Sequence, residues 1–187
     1  MTRIVAGTLG GRRIAAPAGD RTRPTSDRVR EALFSTLESM VDLEGARVAD
    51  LYAGSGAVGL EALSRGASHV LLVESDARVA RVVRQNIAVL GVGAAARLAT
   101  AKVSGALAAG PDGGAYDVVF ADPPYAVPDE EISAAQAALV DGGWLAPDAV
   151  VVIERGTRSG VLTWVKGITG ETSRRYGETT LWYGRRS

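Results

Sequence analysis

The residues Asp122-Pro123-Pro124-Tyr125 follow directly on the apolar run Val118-Val119-Phe120-Ala121. A strand ending in a carboxylate, two stiff prolines and an aromatic ring suits holding a flat, amine-bearing group. An exocyclic amine on a base is a poor nucleophile, because its lone pair is delocalised into the ring. Two acceptors, the Asp122 carboxylate and the Pro123 carbonyl, can take its hydrogens and favour a pyramidal nitrogen with a free lone pair. A carboxylate of reference pKa about 3.9 does not deprotonate such an amine beforehand, so Asp122 orients and the proton leaves after transfer. Positioning is worth on the order of 7–11 kcal/mol in such reactions, more than acid–base help. Tyr125 can stack on an extruded base. The catalytic candidates are Asp122, Pro123 and Tyr125.

A methyl donor has a place upstream. Asp50-Leu51-Tyr52-Ala53-Gly54-Ser55-Gly56 closes a second apolar strand, Gly54 to Gly59 reads G-x-G-x-x-G, and Glu74 lies twenty residues beyond Gly54. That spacing also satisfies a dinucleotide fingerprint, so an NAD(P)-dependent oxidoreductase is an alternative. It leaves Asp122–Tyr125 unexplained. In the dinucleotide pattern the strand runs almost directly into the first glycine, whereas here Asp50 precedes it by four residues, which makes a wider loop. The loop amides and the following helix N-terminus can receive a carboxylate. Asp50 can orient an ammonium, and Glu74 can accept two hydrogen bonds from a ribose diol. These features fit S-adenosylmethionine, held by Asp50, Gly54, Ser55, Gly56 and Glu74 with Asp122 facing it. The chemistry expected is methyl transfer to an exocyclic nitrogen.

The elements that must position these groups alternate. Strands are expected near 47–51, 69–74, 96–101, 116–121 and 149–154, with helices near 57–66, 76–90, 103–109 and 130–140. Such alternation implies a parallel sheet covered on both faces, an α/β fold. Before it, residues 3–16 read as a β-hairpin turning at Gly10-Gly11, followed by a linker rich in Pro, Gly and Arg. Ser26 or Asp27 can then cap a helix whose apolar face is Val29, Leu33, Phe34, Leu37 and Val41. After it, Val161–Val165 and Thr179–Tyr183 look like two antiparallel strands closing the sheet. The division expected is residues 1–22 for RNA recognition and 23–187 for the catalytic domain. The hairpin, outside the alternating core, is expected to be dispensable for folding and cofactor binding.

Composition narrows the class. The chain has 187 residues, no cysteine and one histidine, His69, which removes thiolate, cysteine-zinc and most Ser/His/Asp schemes. No metal is expected. No apolar run approaches the roughly 18 residues of a membrane span, and no signal-peptide core is visible, so a cytoplasmic location is expected; the protein is also expected to be a monomer. The net charge of zero hides a segregation. Residues 1–31 carry seven arginines against three acids, residues 32–154 seven bases against sixteen acids, and residues 155–187 seven bases against two acids. Basic ends around an acidic centre fit an enzyme that grips a polyanion by its edges. Arg3, Arg12 and Arg13 are the phosphate-binding candidates, since arginine's fork suits bidentate contacts. A non-catalytic RNA-binding protein would share this charge pattern.

With these motifs the chain resembles the class I amino-methyltransferases. More specifically, Arg23-Pro24-Thr25-Ser26-Asp27-Arg28-Val29-Arg30-Glu31-Ala32-Leu33-Phe34 and the opening Ile4-Val5-Ala6-Gly7-Thr8-Leu9-Gly10-Gly11-Arg12-Arg13-Ile14 resemble the bacterial 16S ribosomal RNA guanine-N2 methyltransferase family. The resemblance implies a Rossmann-like, mostly parallel seven-stranded sheet and methylation of one guanine in small-subunit rRNA, guanine 966. The partner would be 16S rRNA or the assembling small subunit. It also implies that Arg23 and Thr25 close over the cofactor and that the Val103 amide meets its adenine ring. The chain departs from the family at Lys102, where a small polar or acidic residue is usual. Members of the same fold that act on a DNA base or a protein glutamine are the alternative. Glutamine enzymes usually carry Asn in place of Asp122.

Overall fold

The computed structural model describes residues 2–18 and 26–187. The expected β-α alternation is present: β3 (Arg47–Leu51), α2 (Ala57–Ser64), β4 (His69–Glu74), α3 (Ala77–Leu90), β5 (Ala96–Thr100), α4 (Val103–Ala108), β6 (Tyr116–Ala121), α5 (Asp129–Asp141) and β7 (Leu145–Gly156). It is preceded by β1 (Thr2–Arg3), β2 (Arg13–Ile14) and α1 (Asp27–Met40), and followed by β8 (Ile168–Tyr176) and β9 (Thr179–Arg186). Seven strands form one sheet in the order β5-β4-β3-β6-β7-β9-β8. β3 to β7 pair in parallel, and β9 runs antiparallel between β7 and β8. The chain winds outward from β3 in one direction and from β6 in the other, so the crossover reverses between them. Ligand crevices in open α/β sheets form at the strand carboxyl ends beside that reversal.

Each central strand is buried on both faces, which explains its unbroken apolar run. Val48, Phe120 and Val152 face Leu33 and Phe34 of α1 and Leu60 of α2. Leu51, Val119 and Ile153 face Leu107 of α4, Ile132 of α5 and Trp144. Helix ends follow local chemistry. Ser26 caps α1 by accepting from the Val29 N–H at 3.2 Å, and Asp76 caps α3 by accepting from Arg78 at 2.8 Å. Gly91 terminates α3 with a left-handed φ of 69°. No described helix is long and apolar enough to cross a membrane.

Two expectations are corrected. Val161–Val165 is not a strand; the edge strand is β8, whose alternation is largely exposed and polar. The apolar segment instead lays Leu162, Trp164 and Val165 on the core as irregular chain. The Trp164 ring lies so close to Gly170 and Gly184 that a Cβ on either would come within 2.5 Å and 2.9 Å of it.

The N-terminal hairpin also does not stand outside the core. Its ladder is short, Thr2 opposite Ile14 and Arg3 opposite Arg13, but Ile4 and Ile14 are fully buried with Leu33 and Phe34. Backbone N–H groups of Val5 and Ala6 donate to the Glu61 carboxylate at 2.8 and 3.0 Å, and that of Leu9 to Ser64 at 2.9 Å. Ala15 exchanges hydrogen bonds with the Asn86 amide at 2.8 and 2.9 Å. The segment is thus stitched to α2 and α3.

Candidate active site

A cavity of about 1130 Å³ opens at the carboxyl ends of β4, β3, β6 and β7. Its size exceeds the roughly 300–1,000 Å³ usual for one small ligand, leaving room for two reactants side by side. Asp50, Gly54, Ser55, Glu74 and Val103 line one part; Asp122, Pro123 and Tyr125 line another. Gly56 sits behind the loop as the cap of α2, with φ 83°, and is not itself in the wall. Arg23 and Thr25 lie outside the described residues, while their neighbour Ser26 reaches the wall. Arg3, Arg12 and Arg13 lie on the N-terminal segment, away from the lining, although Thr2 belongs to it. Arg3 pairs with Asp27 at 2.9 Å and Arg12 donates to the Val89 carbonyl at 2.7 Å.

The loop between β3 and α2 is held from three sides. Glu74 accepts the N–H of Gly54 at 3.0 Å with one oxygen and that of Asp76 at 2.9 Å with the other. Each oxygen has a second lone pair, so a diol can still be accepted. Asn86 donates to the Ser55 carbonyl at 2.9 Å, and Ala57 donates to the Ser55 hydroxyl at 3.3 Å. Tyr52 turns the chain with φ 60°, an uncommon conformation for a bulky residue. Gly59 is required by close approach: a Cβ there would lie 2.5 Å from Leu72 and 3.0 Å from Val70. This is the helix-on-sheet contact that the last glycine of such a motif permits.

Asp50 is buried at the end of β3 and accepts one backbone hydrogen bond, from Gly59 at 2.9 Å. Burial pushes its carboxyl up to about 8, the Gly59 bond opposes this, and the Glu74 charge adds to it. No cation pairs with this acid among the described residues, an environment suited to a cationic group on a ligand. The Gly59 N–H is therefore engaged within the protein rather than offered to a ligand.

Asp122 extends β6, whose Ala121 pairs with Ile153 of β7. Desolvation raises its pKa well above the ordinary carboxylate range; Glu154 and then Asp50 add to the shift, and Arg155 opposes it. Pro123 is buried and Pro124 exposed. Tyr125 is 59% exposed, and its ring lies against Gly156, where a Cβ would come within 2.6 Å of Cε1. An aromatic face is thereby presented beside the carboxylate.

Glu154 and Arg155 line the cavity too. They are not among the residues the sequence singles out, although the signal is the one that marks Asp122: charged groups directly after an apolar strand, Ala149–Ile153. Arg155 is buried and donates from Nη2 to the Val127 carbonyl and to Asp129, both at 3.2 Å, while its Nε has no hydrogen-bond partner among the described residues. Lys102 is the first residue before α4 and reaches the wall beside Val103.

This arrangement has relatives. Residues 2–185 match the family described as Conserved hypothetical protein 95. The chain is 38% identical over 163 residues to ribosomal RNA small subunit methyltransferase D of Escherichia coli (strain K12), covering 86% of this chain and 78% of that one. The chain belongs to this methyltransferase family. The Haemophilus influenzae methyltransferase D is 35% identical over 155 residues, covering 81% of this chain and 77% of the relative. The solved yhhF structure of Escherichia coli superposes with a TM-score of 0.86 at 32% identity, over 100% of this methyltransferase and 98% of that chain. The Thermus thermophilus protein TTHA0928 superposes at 0.76 with 30% identity and 98% coverage of both. In the methyltransferase described above, the glycine loop and the Asp122 segment are two sides of one crevice.

Proposed function

We propose that the protein transfers a methyl group from S-adenosylmethionine to the exocyclic N2 of a guanine in small-subunit ribosomal RNA. The observation that carries this reading is one cavity shared by the Asp50–Glu74 loop and Asp122-Pro123-Pro124-Tyr125. The family's curated members, named for the small-subunit RNA they modify, support the choice of acceptor.

When bound, the cofactor's sulfonium supplies an electrophilic methyl group. Asp50 neutralises the ammonium of its methionine part, Glu74 accepts from the ribose, and Val103 borders the adenine. Arg23 and Thr25 cover it. The Asp122 carboxylate and Pro123 carbonyl accept the two amine hydrogens of the base and turn its lone pair outward. Tyr125 stacks on the base and keeps it out of its helix. Orientation supplies most of the rate. Arg3, Arg12 and Arg13 hold phosphates at the surface.

The test is incubation with isotopically labelled cofactor and either 16S rRNA or small-subunit particles, followed by nucleoside mass spectrometry. Labelled N2-methylguanosine is the expected product. Label only in a DNA or a glutamine-containing peptide control, or in another nucleoside, would overturn the reading.

A further inference from the structure

The segment 122–128 joins β6 to α5 and brings Asp122, Pro123 and Tyr125 into the cavity wall. Within it the Val127 N–H donates to the Pro124 carbonyl at 3.0 Å, which makes a turn. A turn alone does not fix where an aromatic ring and a backbone carbonyl point. Two consecutive residues of β7 hold the segment from the side. Arg155 donates from Nη2 to the Val127 carbonyl and to the Asp129 carboxylate, both at 3.2 Å. Gly156 lies against the Tyr125 ring, so closely that a Cβ there would come within 2.6 Å of Cε1 and 3.3 Å of Cδ1.

We infer that Arg155 and Gly156 are positioning residues, forming a seat on β7 that fixes the acceptor loop for methyl transfer. This rests on the methyl-transfer reading above and names what sets the geometry of Pro123 and Tyr125. Arg155 follows Ile153 by two residues and so shares its strand face, the one that packs on Ile132 of α5. The Arg155 side chain is only 6% exposed, whereas Asp129 is 75% exposed. Burying a guanidinium is costly, a solvent-screened partner returns little, and an apolar residue continuing Val151 and Ile153 would pack there more cheaply. What the guanidinium adds is direction. It ties the far end of the loop to β7, while Asp122 continues β6 at the near end. Gly156 leaves the space that the ring fills. Displacing such an arrangement by about 1 Å can cost roughly hundredfold in rate.

The test compares the wild type with Arg155→Met, Arg155→Lys and Gly156→Ala. Amide exchange read by mass spectrometry follows the loop, calorimetry follows S-adenosylmethionine, and single-turnover kinetics follow methylation of small-subunit RNA. Arg155→Met should speed exchange between Tyr125 and Val127 and slow methylation at saturating RNA roughly tenfold or more, with cofactor affinity held within a few fold. Arg155→Lys keeps a donor for Val127 and should recover part of the rate. Arg155 also opposes the raised pKa of Asp122, against the charges of Glu154 and Asp50. The acid limb of the pH–rate profile should therefore move to higher pH in Arg155→Met and stay in place in Arg155→Lys. Gly156 has φ −64° and ψ 145°, which alanine adopts freely, so Gly156→Ala displaces the ring without straining the backbone. It should slow methylation without moving the acid limb, and it decides the matter if Arg155→Met does not fold. Wild-type rates in Arg155→Met or in Gly156→Ala, or a lysine variant no faster than the methionine one, would overturn the inference while leaving the methyl-transfer reading intact. Failure of the wild type to methylate both 16S rRNA and small-subunit particles would overturn both.

Discussion

Arg30 and Glu61 lie with their charged groups 3.3 Å apart, and both side chains are fully shielded from solvent. Glu61 also pairs with Arg65 at 2.9 Å and accepts the backbone N–H groups of Val5 and Ala6. Arg30 in turn donates to the Arg3 carbonyl and to Asp27. A buried carboxylate so surrounded acts as the clasp between the first residues of the chain and helices α1 and α2.

Removing the clasp should therefore cost the fold. Glu61→Ala would strand two arginines and two backbone donors, and breaking such a pair costs about 3–5 kcal/mol. A chain beginning at Gly19 loses Ile4 and Ile14 as well, and it is expected not to fold cooperatively. Thermal unfolding followed by circular dichroism checks both. A truncated chain that melts like the full one would refute the assignment.

Glu74→Ala should weaken S-adenosylmethionine binding by roughly ten- to hundredfold, since hydrogen bonds to charged groups are worth ~1.5–3 kcal/mol each. It also frees the Gly54 and Asp76 N–H groups, so a lower melting temperature without ligand should accompany the loss. Calorimetry and melting together report the two effects.

Asp122→Ala should abolish most turnover while leaving cofactor affinity within a few fold. Asp122→Asn should retain part of the activity, because its amide oxygen still accepts one hydrogen bond. Single-turnover methylation of RNA separates the two variants. Wild-type rates in Asp122→Ala would remove the residue from the mechanism.

The rate should climb with pH. Burial and the Glu154 and Asp50 charges raise the Asp122 pKa, with Arg155 opposing, so its proton persists above the ordinary carboxylate range. The accepting carboxylate is then scarce at acid pH and fills in as pH rises. Glu154→Gln removes a like charge and should move that limb to lower pH. Single-turnover rates across pH measure the displacement.

Asp50 titrates differently. With its pKa pushed up to about 8, the carboxyl is mostly protonated at pH 7 in the free protein. A bound ammonium favours the ionised form, so binding should release a proton and affinity should grow between pH 6 and 8. The sign for folding is opposite. A raised carboxyl pKa binds extra protons in the folded state, so this contribution to stability is lost as pH rises toward 8. Calorimetry in buffers of different ionisation enthalpy detects the proton, and Asp50→Asn should abolish its release.

The candidate site was legible where charged groups follow an apolar strand in sequence. Asp50, Glu74 and Asp122 each end such a run, and the structure sets all three in one cavity. The parallel strands were legible for the same reason, since burial on both faces writes a continuous apolar word. β8 was not: an edge strand with polar, exposed alternation lacks that signal, while Val161–Val165 carries it and coils. The hairpin's attachment was hidden as well. Its partners Glu61, Ser64 and Asn86 lie far along the chain and read locally as ordinary helix residues.

Asp50 and Glu74 come from β3 and β4, whereas Asp122 directly follows β6 and Glu154 lies on β7, on opposite wings of the sheet. The central seam between β3 and β6 separates the two pairs while keeping them within one crevice. Retargeting the protein to another nucleophile is consequently an engineering problem of two strand tips. The wing that carries Asp50 and Glu74 can be kept as a fixed chassis while the other is diversified.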